Sequence, residues 1–120
     1  MSKADKKLVL LVDDDDLVRL VTAEELRDYG FEVAEAGSGP EALTVLRTLP
    51  PIDVLFTDIR MPGALDGWDL AEQVRRLQPS VAVVYSSGYS ATPARMVPGA
   101  HFLSKPYQPA QLVSVLSRLA

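Results

Sequence analysis

Four consecutive carboxylates, Asp13 to Asp16, follow the apolar run Leu8-Val-Leu-Leu-Val12, and a fifth, Asp58, follows Asp53-Val-Leu-Phe-Thr57. Two hydroxyls, Ser86 and Ser87, follow Val81-Ala-Val-Val-Tyr85, and the ammonium of Lys105 comes just after His101-Phe-Leu103. Carboxylates brought together repel one another, which raises their pKa values unless a cation compensates. Magnesium suits such a group, because it is a hard ion that takes a few carboxylate oxygens and completes an octahedron with carbonyl, water or phosphate oxygens. Manganese accepts the same oxygen donors and could substitute. The chain has no cysteine and one histidine, which argues against zinc. A carboxylate can also act as a nucleophile and form an aspartyl phosphate. Phosphoryl transfer of this kind needs positioning and charge neutralisation more than a strong base. A metal ion, Lys105 and a seryl hydroxyl could supply these on three sides of the phosphoryl oxygens.

Each residue also has a plainer role to weigh. Aspartate is a good helix N-cap and favours the positive helix end, so some of Asp13 to Asp16, and Asp16 above all, would cap the first helix. Four in a row exceeds what capping needs. Asp58 alone could be a turn residue, the serines ordinary loop residues, and Lys105 a solvated charge. Pro106 adds weight to Lys105, since X-Pro bonds adopt cis far more readily than others and a cis bond could aim the lysine back across a sheet edge. His101 is read as a strand-end residue, neither a ligand nor a phosphoryl carrier.

The elements that must position these groups are legible as short apolar runs alternating with helical patterns. Strands are expected at Leu8 to Val12, Phe31 to Ala36, Asp53 to Thr57, Val81 to Tyr85 and His101 to Leu103, the first a continuous run suited to burial on both faces. Helices are expected around Leu17, Leu20, Val21 and Leu26, around Ala42, Leu43, Leu46 and Leu49, around Trp68, Ala71, Val74 and Leu77, and around Leu112, Val115, Leu116 and Leu119. Pro50-Pro51 and Pro79 stop two of them. Between Gly88 and Gly99, Pro93 and Pro98 leave room for a helix of only about two turns, with Thr92 as its cap. Alternating strands and helices predict an α/β protein with a parallel sheet covered on both faces. In such sheets ligands bind beyond the carboxyl ends of the strands, where the carboxylates, hydroxyls and lysine gather.

The 120 residues suit one compact domain spanning 1–120. A net charge of −4 gives nucleic acid little electrostatic reason to bind. No apolar run approaches the ~20 residues that span a bilayer, and the polar start is not a signal peptide. A soluble cytoplasmic protein with neither nucleic acid nor membrane as partner is expected.

Asp-Asp after the first strand, Asp after the third, Ser after the fourth and Lys-Pro after the fifth resemble the receiver domain of bacterial two-component response regulators. The stretches are Leu-Leu-Val-Asp13-Asp14, Leu-Phe-Thr-Asp58-Ile-Arg-Met-Pro62-Gly, Leu-Asp66-Gly67, Val-Val-Tyr-Ser86-Ser-Gly and Phe102-Leu-Ser-Lys105-Pro106. Each motif is weak alone, but the ordered set covers the chain from about Lys7 to the last helix. The resemblance implies a flavodoxin-like, doubly wound five-stranded sheet of order 2-1-3-4-5 with five helices, the fourth short. It implies that Asp58 accepts a phosphoryl group from a phosphohistidine of a sensor histidine kinase or histidine phosphotransfer protein. Asp14 would then bind Mg2+ directly and Asp13 mainly through water, with Asp58 and the backbone carbonyl of Arg60 completing the protein ligands. Lys105 would pair with Asp58 and later with the phosphoryl group. Ser86 and Phe102 would occupy the hydroxyl and aromatic switch positions that change contacts with a downstream protein target. A regulatory phosphoacceptor, not a turnover enzyme, is implied; with no output domain it would act by protein contact or as a relay intermediate, and a receiver domain excised from a larger kinase or regulator would look the same.

Three features depart from the simplest pattern. The loop Met61-Pro-Gly-Ala-Leu-Asp-Gly67 is one residue longer. The proline-rich fourth helix weakens the face through which many receivers dimerise, so a monomer or weak dimer is expected. Arg60 and Gly88 stand at positions that influence phosphoryl lifetime in the family, and an altered autodephosphorylation rate is expected. The competing readings are an interaction module that is never phosphorylated, a metal-dependent phosphatase of small molecules and a flavodoxin-like electron carrier. Four aspartates after the first strand would repel the last one's cofactor phosphate.

Overall fold

A computed structural model describes residues 6–88 and 95–119. The elements follow in the order β1 (Leu8–Val12), α1 (Asp16–Asp28), β2 (Glu32–Ala36), α2 (Gly39–Leu46), β3 (Val54–Asp58), α3 (Gly67–Leu77), β4 (Ala82–Ser87), β5 (His101–Ser104) and α4 (Pro109–Leu119). The strands pair in parallel in the order β2-β1-β3-β4-β5, the expected one. Four helices stand among the described residues. The short helix expected between Gly88 and Gly99, with its cap Thr92, falls largely on 89–94, outside them.

The central strands are buried because their residues are apolar on both faces. Successive side chains on a strand point to opposite faces, so each strand feeds two cores. Leu10, Val12, Leu55, Val83 and Tyr85 pack under α2 and α3 with Ala42, Leu70 and Val74. Val9, Leu11, Val54, Phe56 and Val84 pack under α1 and α4 with Ala23, Leu26, Leu112 and Leu116. No helix among the described residues is long and apolar enough to cross a membrane.

The face of α1 differs from the expected one. Leu17, Leu20 and Val21 are 69%, 49% and 45% exposed, whereas Thr22, Ala23 and Leu26 are buried. At 100° per residue, Leu26 lies opposite Leu17, so the four apolar residues never formed one stripe. The inward stripe carries half-buried Arg19 with buried Ala23 and Leu26, spaced i, i+4, i+7, with a charge at its head. Leu77 likewise lies outside the buried face of α3 and is exposed.

The N-cap of α1 is Asp15, not Asp16, and its side chain accepts from Leu17 N and Val18 N at 3.1 Å each. Ser38 caps α2, and Asp66 and Asp69 form a reciprocal capping box at α3. In the loop before α3, Gly63 has φ +101°, a left-handed conformation that glycine adopts without strain. Leu65 from the same loop lies so close to the start of α2 that a Cβ on Gly39 would sit 2.6 Å from its carbonyl oxygen.

Candidate functional site

Register brings the chemistry together. Val12 pairs with Thr57, so Asp13 and Asp58 leave adjacent strands side by side, and Asp58, the last residue of β3, pairs with Ser86. One carboxylate oxygen from each of Asp13, Asp14 and Asp58 lies within 4.8 Å of the other two. Asp13 is buried at 4% exposure, Asp14 is exposed, and Asp58 is intermediate. Asp13 Oδ1 accepts from Asp15 N at 2.9 Å, which orients the carboxylate and leaves Oδ2 toward Lys105.

Lys105 is the counter-charge. Its Nζ donates to Asp13 Oδ2 at 3.1 Å and to Asp58 Oδ2 at 3.3 Å. The Lys105–Pro106 bond is cis, and Lys105 N donates to Ser87 O at 2.9 Å. Just beyond, the Tyr107 ring packs edge-on against Phe56 at 5.6 Å, with its hydroxyl 3.3 Å from Thr22 Oγ1. These contacts hold the segment after β5 against β3 and α1.

Burial pushes the Asp58 carboxyl above its ordinary value; Lys105 pulls it down, but Asp13 and Asp14 push it further up. Burial opposes the charge on Lys105, yet Asp13 and Asp58 more than offset this and hold the ammonium above its usual value. Three carboxylates thus face one ammonium, and their donors are all oxygen. This fits a hard divalent cation, which would offset both the burial and the carboxylate repulsion that act against the charge on Asp58. Arg60 lies exposed in the loop beyond Ile59, two residues after Asp58.

Ser86 and Ser87 both lie inside β4 instead of after it. Tyr85 pairs with Phe102 and Ser86 with Leu103, and Phe102 and Leu103 pack into opposite cores. Ser86 and Phe102, expected to work as one switch, therefore point to opposite faces of the sheet. Ser87, at 2% exposure, shares the face of Tyr85 and Phe102, whereas Ser86, also 2% exposed, shares the face of Asp58. Among the described residues the buried Ser86 hydroxyl has no hydrogen-bond partner. An unmade buried hydrogen bond costs about 1–3 kcal/mol, so the group is poised for an incoming acceptor. His101 opens β5 and is exposed, as a strand-end residue should be.

One contributor escaped the sequence. Arg19 Nη1 donates to the Asp13 carbonyl at 2.7 Å. Its place in the Arg19-Ala23-Leu26 stripe was the available signal, hidden because a charge at a core-facing position looks like a surface residue.

The sequence matches the response regulator receiver domain family over residues 9–117, and the chain belongs to that family. It is 34% identical over 116 residues to the sensor kinase CckA of Brucella abortus (strain 2308), covering 92% of this chain but 12% of that protein. It is 30% identical over 119 residues to the chemotaxis protein CheY of Thermotoga maritima, covering 95% of this chain and 98% of that one. A crystal structure of a response regulator receiver protein from Sinorhizobium medicae WSM419 superposes with a TM-score of 0.89 at 35% identity, covering 97% and 95% of the two chains. The chain is therefore a phosphoacceptor domain of the two-component type, a regulatory module with the flavodoxin-like receiver fold.

Proposed function

We propose that Asp58 accepts a phosphoryl group from a phosphohistidine of a sensor histidine kinase or histidine phosphotransfer protein in the cytoplasm, and that this changes contacts with a downstream protein. The observation that carries this reading is the cluster of Asp13, Asp14 and Asp58 closed by Lys105. In the transfer a carboxylate oxygen of Asp58 attacks phosphorus, the bond from phosphorus to the histidine nitrogen breaks, and the imidazole leaves with that electron pair. Hydrolysis of the acyl phosphate by water later restores Asp58. Asp14, Asp58 and the Arg60 carbonyl would hold Mg2+, or Mn2+ in its place, with Asp13 reaching it through water. The ion supplies charge neutralisation at the phosphoryl oxygens. Lys105 turns from the carboxylates toward the phosphoryl group as charge moves there.

Exposed Leu17 and Val21 rim a groove of about 670 Å3 between α1 and α4 that reaches Lys105 and Tyr107. An apolar surface beside the acceptor suits the helix of a phosphohistidine donor. The domain would work as a monomer or weak dimer. Incubation with acetyl phosphate and Mg2+ is expected to add one phosphoryl group by intact mass, labile to hydroxylamine and lost in EDTA. Continuous turnover of small phosphate esters would point instead to a phosphatase, and no modification from acetyl phosphate or from kinases to a pure interaction module.

The two serines divide the switch. Ser86, on the face of Asp58, contacts the phosphoryl group, and Ser87, on the face of Phe102, couples to the aromatic ring. Ser86→Ala is expected to slow phosphorylation, whereas Ser87→Ala leaves it intact and blocks the change around Phe102. Fluorine NMR of a labelled Phe102, with and without beryllofluoride, reads the difference; a ring that still responds fully in Ser87→Ala returns the switch to Ser86.

A further inference from the structure

Arg19 makes more contacts than a helix-surface arginine needs. It is half-buried on the inward face of α1, in line with Ala23 and Leu26, and its side chain is 17% exposed. Nη1 donates to the Asp13 carbonyl at 2.7 Å and Nη2 to Asp16 Oδ1 at 2.8 Å. Nε faces Glu35 Oε1 on β2 at 3.5 Å, an ion-pair distance too long for a good hydrogen bond. One guanidinium thus spans the turn that carries the acidic residues, from its first to its last aspartate, and ties that turn to the neighbouring strand. The fixed fork of donors presents a separate N–H to each end, a geometry that the single nitrogen of an ammonium does not reproduce. Gly37 supplies the space, since a Cβ there would come 3.1 Å from Arg19 Nη1.

We propose that Arg19 is a positioning residue for the cation and phosphoryl site, holding the Asp13–Asp16 turn so that Asp13 and Asp14 face Asp58. The inference rests on the Mg2+ reading above and adds to it a residue that touches neither the ion nor the phosphoryl group. Positioning and charge predict opposite signs. As a mere positive charge near the carboxylates, Arg19 weakens cation binding, and its removal tightens it. As a brace, it strengthens binding, and its removal weakens it even though a repelling charge has gone.

Titration calorimetry of Mg2+ into wild type, Arg19→Gln, Arg19→Lys and Gly37→Ala separates the two. Arg19→Gln and Arg19→Lys are each expected to bind Mg2+ about tenfold more weakly or worse, the range seen when outer partners of metal ligands are lost. Gly37→Ala keeps the arginine but crowds it, and is expected to weaken binding by less. Unfolding midpoints in EDTA distinguish a displaced turn from a loosened fold, and Gly37→Ala remains informative if Arg19→Gln folds poorly. Binding in Arg19→Gln that equals or exceeds wild type, or unchanged binding in both Arg19→Lys and Gly37→Ala, overturns the proposal. Failure of wild type to bind Mg2+ would overturn both this inference and the metal reading beneath it.

Discussion

Asp58→Asn is expected to abolish the acyl phosphate completely while leaving the fold more stable than wild type at neutral pH in EDTA. The amide matches the carboxylate in shape, so packing at the end of β3 is preserved. It removes the only nucleophile among the three clustered acids that lies on β3, paired with Ser86 and reached by Lys105. The stability gain follows from the raised pKa of Asp58, which burial drives first, with Asp13 and Asp14 adding to it against Lys105. A carboxyl whose pKa is raised on folding contributes its stability fully at pH values below the unfolded pKa, and loses it as pH rises through the folded one. At neutral pH wild type therefore carries a destabilising charge that the amide variant lacks, and the difference should vanish when the pH falls below the ordinary carboxylate range. Lys105 keeps its contact with Asp13 at 3.1 Å, so the substitution does not strand a buried cation. Intact mass with acetyl phosphate reads the first effect and thermal unfolding across pH the second. A hydroxylamine-labile phosphoryl group surviving on the variant would remove Asp58 from its role.

Gly67→Ala is expected to destabilise the fold by about 1–3 kcal/mol or more and to weaken Mg2+ binding, although helix propensity alone favours alanine. A Cβ at Gly67 would sit 2.1 Å from the Asp58 carbonyl oxygen, 2.8 Å from Ile59 Cα and 2.9 Å from the Asp58 carbonyl carbon. All three are backbone atoms, with no flexible side chain to give way. Gly67 N also donates to Ile59 O at 2.8 Å, so the first turn of α3 is seated on the peptide that follows the acceptor. To admit a methyl group either α3 must lift from the core that Leu70, Ala71 and Val74 fill, or the Asp58–Ile59 peptide must move. The first costs packing and the second displaces the acceptor. Steric cost outweighs propensity because 2.1 Å is far inside van der Waals contact. Urea unfolding with and without Mg2+ measures both terms, and a variant as stable as wild type would show that the close approach is not needed.

The strands, their alternation with helices and the gathering of Asp13, Asp14, Asp58 and Lys105 at one edge were legible from the chain alone. Strands buried on both faces must be continuous apolar runs, and ligand-binding groups in a parallel sheet must follow those runs. Local capping was legible only to within one residue, since Asp15 and Asp16 are both competent caps and the geometry of the turn selects the first.

What the chain could not show was direction. Ser86 and Ser87 are equivalent as letters, but register against Asp58 and Phe102 sends them to opposite faces, and register is a relation between strands far apart in sequence. Leu17, Leu20 and Val21 look like a core stripe, yet α1 buries Ala23 and Leu26 because those face the sheet once α4 is packed beside it. Arg19 looks like a surface charge, and only the closeness of Asp13, Asp16 and Glu35 gives its donors a reason to be inside. Residue type and spacing settle which groups can do chemistry, because those depend on the chain itself. Which face each group turns to is settled by packing between distant segments, and that exists only in the folded molecule.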